Sequence, residues 1–195
     1  MSAAVTDNDK AFRALRAEIA KLAKTVITVG VHGDERERDG GEIDNVQLAA
    51  VHEFGSPAQG IPARSFLRAA VDEHVGQLRE VGGELAERVA MATLTAKQAG
   101  AQLGAFAVGL IQARMSNGLK PPLSPKTLVK RAQRTKRGRS ALAAIKRLGA
   151  KVRGGKALTG KQAARLGKAR ALVTNATPLI DTGQLRQSIA YKVKQ

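Results

Sequence analysis

The sequence contains no cysteine and no tryptophan, and only one tyrosine and four phenylalanines in 195 residues. Without cysteine there are no disulfides and no thiolate chemistry. Aromatics at 3% leave the core to Ala, Val, Leu and Ile, and a hydrophobic content of 43% suffices for one modest core. Long apolar runs are missing as well. The longest weakly polar stretch, Ala99 to Ile111, contains Gln102 and falls short of the roughly 20 residues that a membrane span requires. Residues 1–10 hold neither an apolar centre nor a basic start, so a secretory signal is not expected. The expectation is a soluble protein of the cytoplasm, or of something assembled there, that makes no membrane contact.

Negative charge is scarcest in the second half. Residues 1–87 hold 10 Lys and Arg against 15 Asp and Glu, whereas residues 88–195 hold 23 against a single acid, Asp181. The overall net charge of +17 therefore comes from the second half. Such asymmetry points to an acidic partner, either nucleic acid or a negative protein surface. It also removes most acid–base and metal chemistry from that half.

Apolar positions at Phe12, Leu15, Ile19 and Leu22 recur at spacings of three and four, which predicts an amphipathic helix over 8–24. Val26 to Val31 is β-branched and reads as a strand. Asp44 or Asn45 can cap a helix that runs to Phe54 and is ended by Gly55 and Pro57. Phe54, one of four phenylalanines, is expected to be a buried anchor. An extended segment, 56–65, follows, pinned by Pro57 and Pro62 and presenting Arg64 and Arg68. Ser65 can cap an Ala-rich helix continuing to about Met115, with bends, breaks or close helix contacts expected at Gly82, Gly83, Gly100, Gly104 and Gly109. Ser124 and Pro125 form a helix start, hydroxyl cap followed by proline at the first position. Residues 137–176 are Lys, Arg, Ala and Gly with short helical stretches, expected to pack loosely or to be ordered by a partner. A turn at Asp181-Thr182-Gly183 and a strand around Ile189 to Val193 close the pattern.

Three motifs invite chemical readings, and each has a stronger structural one. Gly155 to Lys161 satisfies seven positions of a phosphate-binding loop, but the eighth is Gln162 rather than Ser or Thr, and no apolar strand precedes it. Thr159 with Gln162 fits a capping box better. Leu179 to Gly183 resembles the active-site turn of aspartic proteases, which need two aspartates sharing a proton. Only twelve residues follow Gly183, where such a fold needs most of its strands, so the expected role of Asp181 is a turn cap. His52-Glu53 begins like a zinc-protease helix, yet no second His follows within a turn. The other histidines, His32 and His74, are scattered. No catalytic residue, cofactor or metal ligand is expected, and the chain is read as a non-enzyme.

Four strings, in this order, carry a family resemblance: Leu48–Gly55 (LAAVHEFG), Ile61–Arg68 (IPARSFLR), Pro121–Leu128 (PPLSPKTL) and Pro178–Ile189 (PLIDTGQLRQSI). Together they resemble the phage virion-morphogenesis and tail-completion proteins, the neck or head–tail joining family. Lambda-type minor tail protein Z is a looser likeness. The matching positions are His52, Glu53, Phe54, Gly55, Ile61, Pro62, Ala63, Arg64, Phe66, Ser124, Pro125, Thr127, Asp181, Thr182, Gly183, Leu185 and Ser188, all with structural roles. Ser65 stands where the family often has proline, and the basic loop between the third and fourth strings is longer here by tens of residues.

The resemblance implies a virion protein, a ring subunit at the head–tail junction that surrounds the DNA path. A hexamer is favoured, with connector or stopper and tail terminator or tail tube proteins as neighbours. The alternative, from charge alone, is a basic nucleic-acid-binding protein, although aromatics for base stacking are nearly absent. The expected fold is α+β: a small antiparallel sheet packed with a long helix and shorter helices. One domain would comprise 1–135 and 177–195, with a basic insertion of uncertain order at 136–176. Within that insertion Lys136, Arg137, Arg139, Lys146, Arg147, Lys151 and Arg153 are candidate contacts to DNA or to an acidic protein.

Overall fold

The computed structural model describes residues 9–33, 43–176 and 183–195. The fold is α+β, and the chain divides into two compact units, residues 1–114 with 184–195 and residues 115–183. The boundary thus falls in the last turn of a helix at Met115, well before the expected insertion point at residue 136.

The first unit opens with α1 (Asp9–Lys24) and β1 (Val26–Val31). β1 pairs antiparallel with β2 (Ile189–Lys194), in a register that sets Val26 opposite Lys194 and Val31 opposite Ile189. Helix α2 (Asn45–Phe54) starts at Asp44, whose carboxylate accepts from Gln47 N at 2.7 Å while the Gln47 side chain accepts from Asp44 N at 3.3 Å. This reciprocal box satisfies two of the donors that a helix start leaves open.

The expected single helix from Ser65 to Met115 is three: α3 (Arg68–Glu73), α4 (Val75–Ala90) and α5 (Ala96–Ser116). The breaks fall at His74 and at 91–95, and the five glycines all lie inside helices. Threonine chemistry explains the second break. Thr93 Oγ1 donates to Arg88 O at 2.8 Å, Thr95 Oγ1 accepts from Gln98 N at 3.2 Å, and Ala92 takes a left-handed φ of 56°. Glu18 of α1 then accepts from Ala96 N at 2.9 Å, supplying a carboxylate to the start of α5.

Two of the glycines have a packing role. A Cβ at Gly100 would lie 3.0 Å from the Val193 side chain, and one at Gly104 would lie 2.6 Å from the Tyr191 ring. α5 therefore lies directly against β2, a helix–strand contact rather than a helix–helix one. Leu85, Val89 and Ala99 form the centre of a cluster completed by Leu22, Val81, Leu94 and Leu103.

In the second unit, α6 (Pro125–Arg134), α7 (Lys136–Arg153) and α8 (Gly160–Thr174) pack together. The segment expected to hold only short, loosely packed helical stretches is thus helical over 136–153 and 160–174. Their core is Ala141, Ala144, Ala169 and Val173, with Leu128, Ala132, Leu142 and Ile145 packed against it. The scarcity of large apolar residues is met by close approach, since helix separation depends on side-chain size at the contact. Thr135 ends α6 and also caps α7, its Oγ1 accepting from Gly138 N at 3.0 Å.

Ser124 caps α6 as expected. Its Oγ accepts from Thr127 N at 3.2 Å, and Pro125 occupies the first turn. Ser124→Ala is expected to cost about 0.5–2 kcal/mol, read as a lower melting temperature of a fragment or of the whole chain. No change in melting would remove Ser124 from the start signal.

Candidate functional site

The first and second family-like strings meet at one corner of the first unit. α2 buries Asn45, Ala49 and Glu53, a repeat of four residues that directs Glu53 inward. Phe54, the next residue round the helix, is 73% exposed. The expected buried anchor is therefore on the surface, and Phe66 is the fully buried phenylalanine. The α2 register turns the Glu53 carboxylate inward and leaves the Phe54 ring outside, and burial of the carboxylate is tolerated because it finds enough donors to replace its water.

Those donors are four. Ser65 Oγ donates to Glu53 at 2.6 Å, and the backbone N–H groups of Phe66, Leu67 and Arg68 donate at 2.9, 3.0 and 3.1 Å. Glu53 thus caps the start of α3 from a different helix, where N–H groups are open and the helix dipole favours an anion. Ser65 adds its own link, since its Oγ also accepts from Ala69 N at 3.2 Å. Burial pushes the Glu53 carboxyl up, but the Ser65 hydroxyl and the three backbone donors outweigh it, and the net displacement is below the ordinary glutamate range.

The neighbouring positions close the same corner. Arg64 N donates to His52 O at 2.7 Å, and Ser56 and Ile61 exchange backbone hydrogen bonds at 2.8 and 2.9 Å. Gly55 has φ 78°, and a Cβ there would lie 2.8 Å from Ala63 N, so only glycine fits. Pro62 and Ala63 run through this close approach. Arg64 is buried at 6% exposure instead of being presented. Arg114 of α5 bonds Ser65 O at 3.2 Å and pairs with Glu73.

Of the third string, Ser124, Pro125 and Thr127 form the α6 start in the second unit. Of the fourth, Asp181 and Thr182 lie outside the described residues, so the turn expected there does too. Gly183 has φ 82°. It is followed by α9 (Gln184–Gln187), buried Leu185, and Ser188, whose Oγ donates to Leu185 O at 3.0 Å. The structure therefore joins the first two strings directly and assigns the third to a separate unit.

Lys136, Arg137, Arg139, Lys146, Arg147, Lys151 and Arg153 are exposed on α7. Residues 115–176 hold 17 Lys and Arg and no carboxylate. Two basic residues outside the expected set, Arg165 and Lys168 of α8, border the same cleft as Arg137. Their spacing with Lys161, four then three residues, is the signal that places them on one helix face.

The phosphate-loop-like segment and the histidines have structural surroundings among the described residues. Gly155 has φ 72° just past α7, and Thr159 caps α8 in a box with Gln162, both bonds at 3.4 Å. His32 contacts Thr28 Oγ1 at 3.2 Å and His74 contacts Ala70 O at 2.8 Å. Among the described residues no three His, Asp or Glu side chains gather as metal ligands, and no helix is long and apolar enough to cross a membrane. Comparison of the chain with family models, curated proteins and solved structures finds no match.

Phe54→Ala is expected to change the stability of the free protein by less than about 0.5 kcal/mol, as for exposed positions generally. A clear drop in melting temperature would show that the ring packs after all.

Proposed function

We propose that this chain is a structural, non-enzymatic subunit of a tailed-phage virion. It would sit as a ring at the head–tail junction, join connector and tail, and surround the DNA path. The observation that carries the reading is the Glu53 corner. Two separate strings that resemble the tail-completion family turn out to be halves of one device, fastened by the Glu53 carboxylate to the start of α3.

Two further features support assembly. Phe54 and Met91 are 73% and 71% exposed, and aromatic and methionine side chains are enriched where proteins dock. The fourth string leads into β2, which pairs with β1 near the other end of the sequence and fixes one scaffold for such surfaces. A hexamer is the favoured ring, and the neighbours would be connector or stopper proteins above and a tail terminator or tail tube below.

The test is genetic. Deleting the reading frame from the phage that carries it should leave DNA-filled heads and separate tails, restored to joined particles by the protein supplied in trans. Infectious, fully joined particles from the deletion would overturn the proposal.

A further inference from the structure

We infer that the cleft between α7 and α8 binds the phosphodiester backbone of a nucleic-acid duplex without reading its bases. This does not rest on the assembly reading above, because it concerns the second unit taken by itself.

The cleft, about 200 Å³, is lined by Arg137, Ser140 and Ala144 of α7 and by Arg165, Lys168 and Leu172 of α8. Arg137, Arg165 and Lys168 are exposed, and residues 88–180 contain no carboxylate that could pair with them locally. Three like charges around one opening repel, and a bound anion relieves that repulsion. Lys161, Arg165 and Lys168 extend the row along one face of α8 over about 10 Å at 1.5 Å per residue. The floor consists of small buried side chains, Ala141, Ala144 and Ala169, so nothing bulky holds a polymer backbone away from the cations. Arginine offers the forked donors that suit phosphate oxygens.

What the unit lacks fixes the kind of polyanion. Residues 115–183 contain no Phe, Tyr or Trp, so there is no platform on which unstacked bases could lie, which disfavours single strands. A duplex instead presents dense, regular charge, about one per 1.7 Å of axis, and needs no stacking. An acidic protein is the weaker match, because a docking interface is built round an apolar, often aromatic centre. The exposed large apolar residues of the described part of this unit are only Val129, Val152 and Leu172. A second copy of the chain is no better, since its first unit holds 16 Lys and Arg against 15 acids and offers no strong negative field.

The experiment uses the full chain and two 20-base-pair DNA duplexes of unrelated sequence, with binding followed by fluorescence anisotropy across a salt series. Wild type should bind both equally. The triple variant R137Q/R165Q/K168Q should lose at least about tenfold in affinity at low salt. Its slope of log K against log salt should be shallower by about 2–3, at roughly 0.9 per phosphate contact. A control triple, K10Q/R79Q/K97Q, removes the same charge from exposed positions of the first unit and should bind as wild type does. Circular dichroism should show all three proteins equally folded. Four results would overturn the inference: no duplex binding by wild type, equal losses from both triples, a strong preference for one sequence, or binding of polyglutamate in place of the duplex.

Discussion

Glu53→Ala is expected to destabilise the first unit by about 3–5 kcal/mol, enough to unfold it in a marginally stable chain. The carboxylate receives the Ser65 hydroxyl and three successive backbone N–H groups at 2.6–3.1 Å. Removing it leaves the start of α3 with donors inside the protein and no acceptor, each costing about 1–3 kcal/mol, partly offset where water can enter. Glu53→Gln keeps one oxygen but aims an amide donor at groups that are themselves donors, so it should recover only part of the loss.

The acid response follows from the direction of the Glu53 displacement. The folded carboxyl lies below its unfolded value, so the stabilisation is complete above the unfolded value. It is lost as pH falls through the folded one. The stability gap between wild type and Glu53→Gln should therefore be widest near neutrality and shrink below the ordinary carboxylate range. Urea unfolding of both proteins across pH gives the answer. A gap under about 1 kcal/mol at neutral pH, or one that grows in acid, would contradict the role given to Glu53.

The second large effect is expected in the other unit. A Cβ at Gly138 would lie 2.7 and 2.8 Å from the carbonyl carbon and Cα of Ala132, and closer still to that carbonyl oxygen. Backbone cannot swing aside as a side-chain tip can, so Gly138→Ala must separate α6 from α7. A cost of about 3 kcal/mol or more is expected, at the upper end of overpacking. Gly167→Ala is the matched contrast. Its Cβ would meet nothing within 4 Å inside α8, so the usual gain of about 0.5–1 kcal/mol for alanine over glycine in a helix applies. Thermal melts should move in opposite directions for the two variants. Equal shifts would mean that the α6–α7 contact is looser than described.

These residues also show what is legible in the sequence. The starts of α2, α6 and α8 are, because Asp44, Ser124 and Thr159 act on backbone groups three positions away. The two strands are legible, β1 as the β-branched run Val26–Val31 and β2 as the stretch around Ile189 to Val193. The fate of Phe54 and Glu53 is not, because the donors that draw Glu53 inward come from 12–15 residues later, and hydrophobicity alone sends the ring inside. The second unit is hidden for a related reason. Its core cluster is mostly alanine, which composition counts as weakly apolar. Close packing of small residues such as Gly138 and Ala132 depends on geometry that no local pattern displays. The basic cleft is half legible: Arg137 stands out in a charge run, whereas Arg165 and Lys168 join it only when α8 folds back along α7.

The central claim is a place in a particle, and an electron-microscopic reconstruction of the virion neck with this chain located in it tests that claim most directly. Several copies are expected, six in the favoured arrangement, forming a closed ring round the tail axis between connector and tail, with DNA passing through. Absence of the chain from the particle, or its presence as an isolated monomer away from the axis, would contradict it.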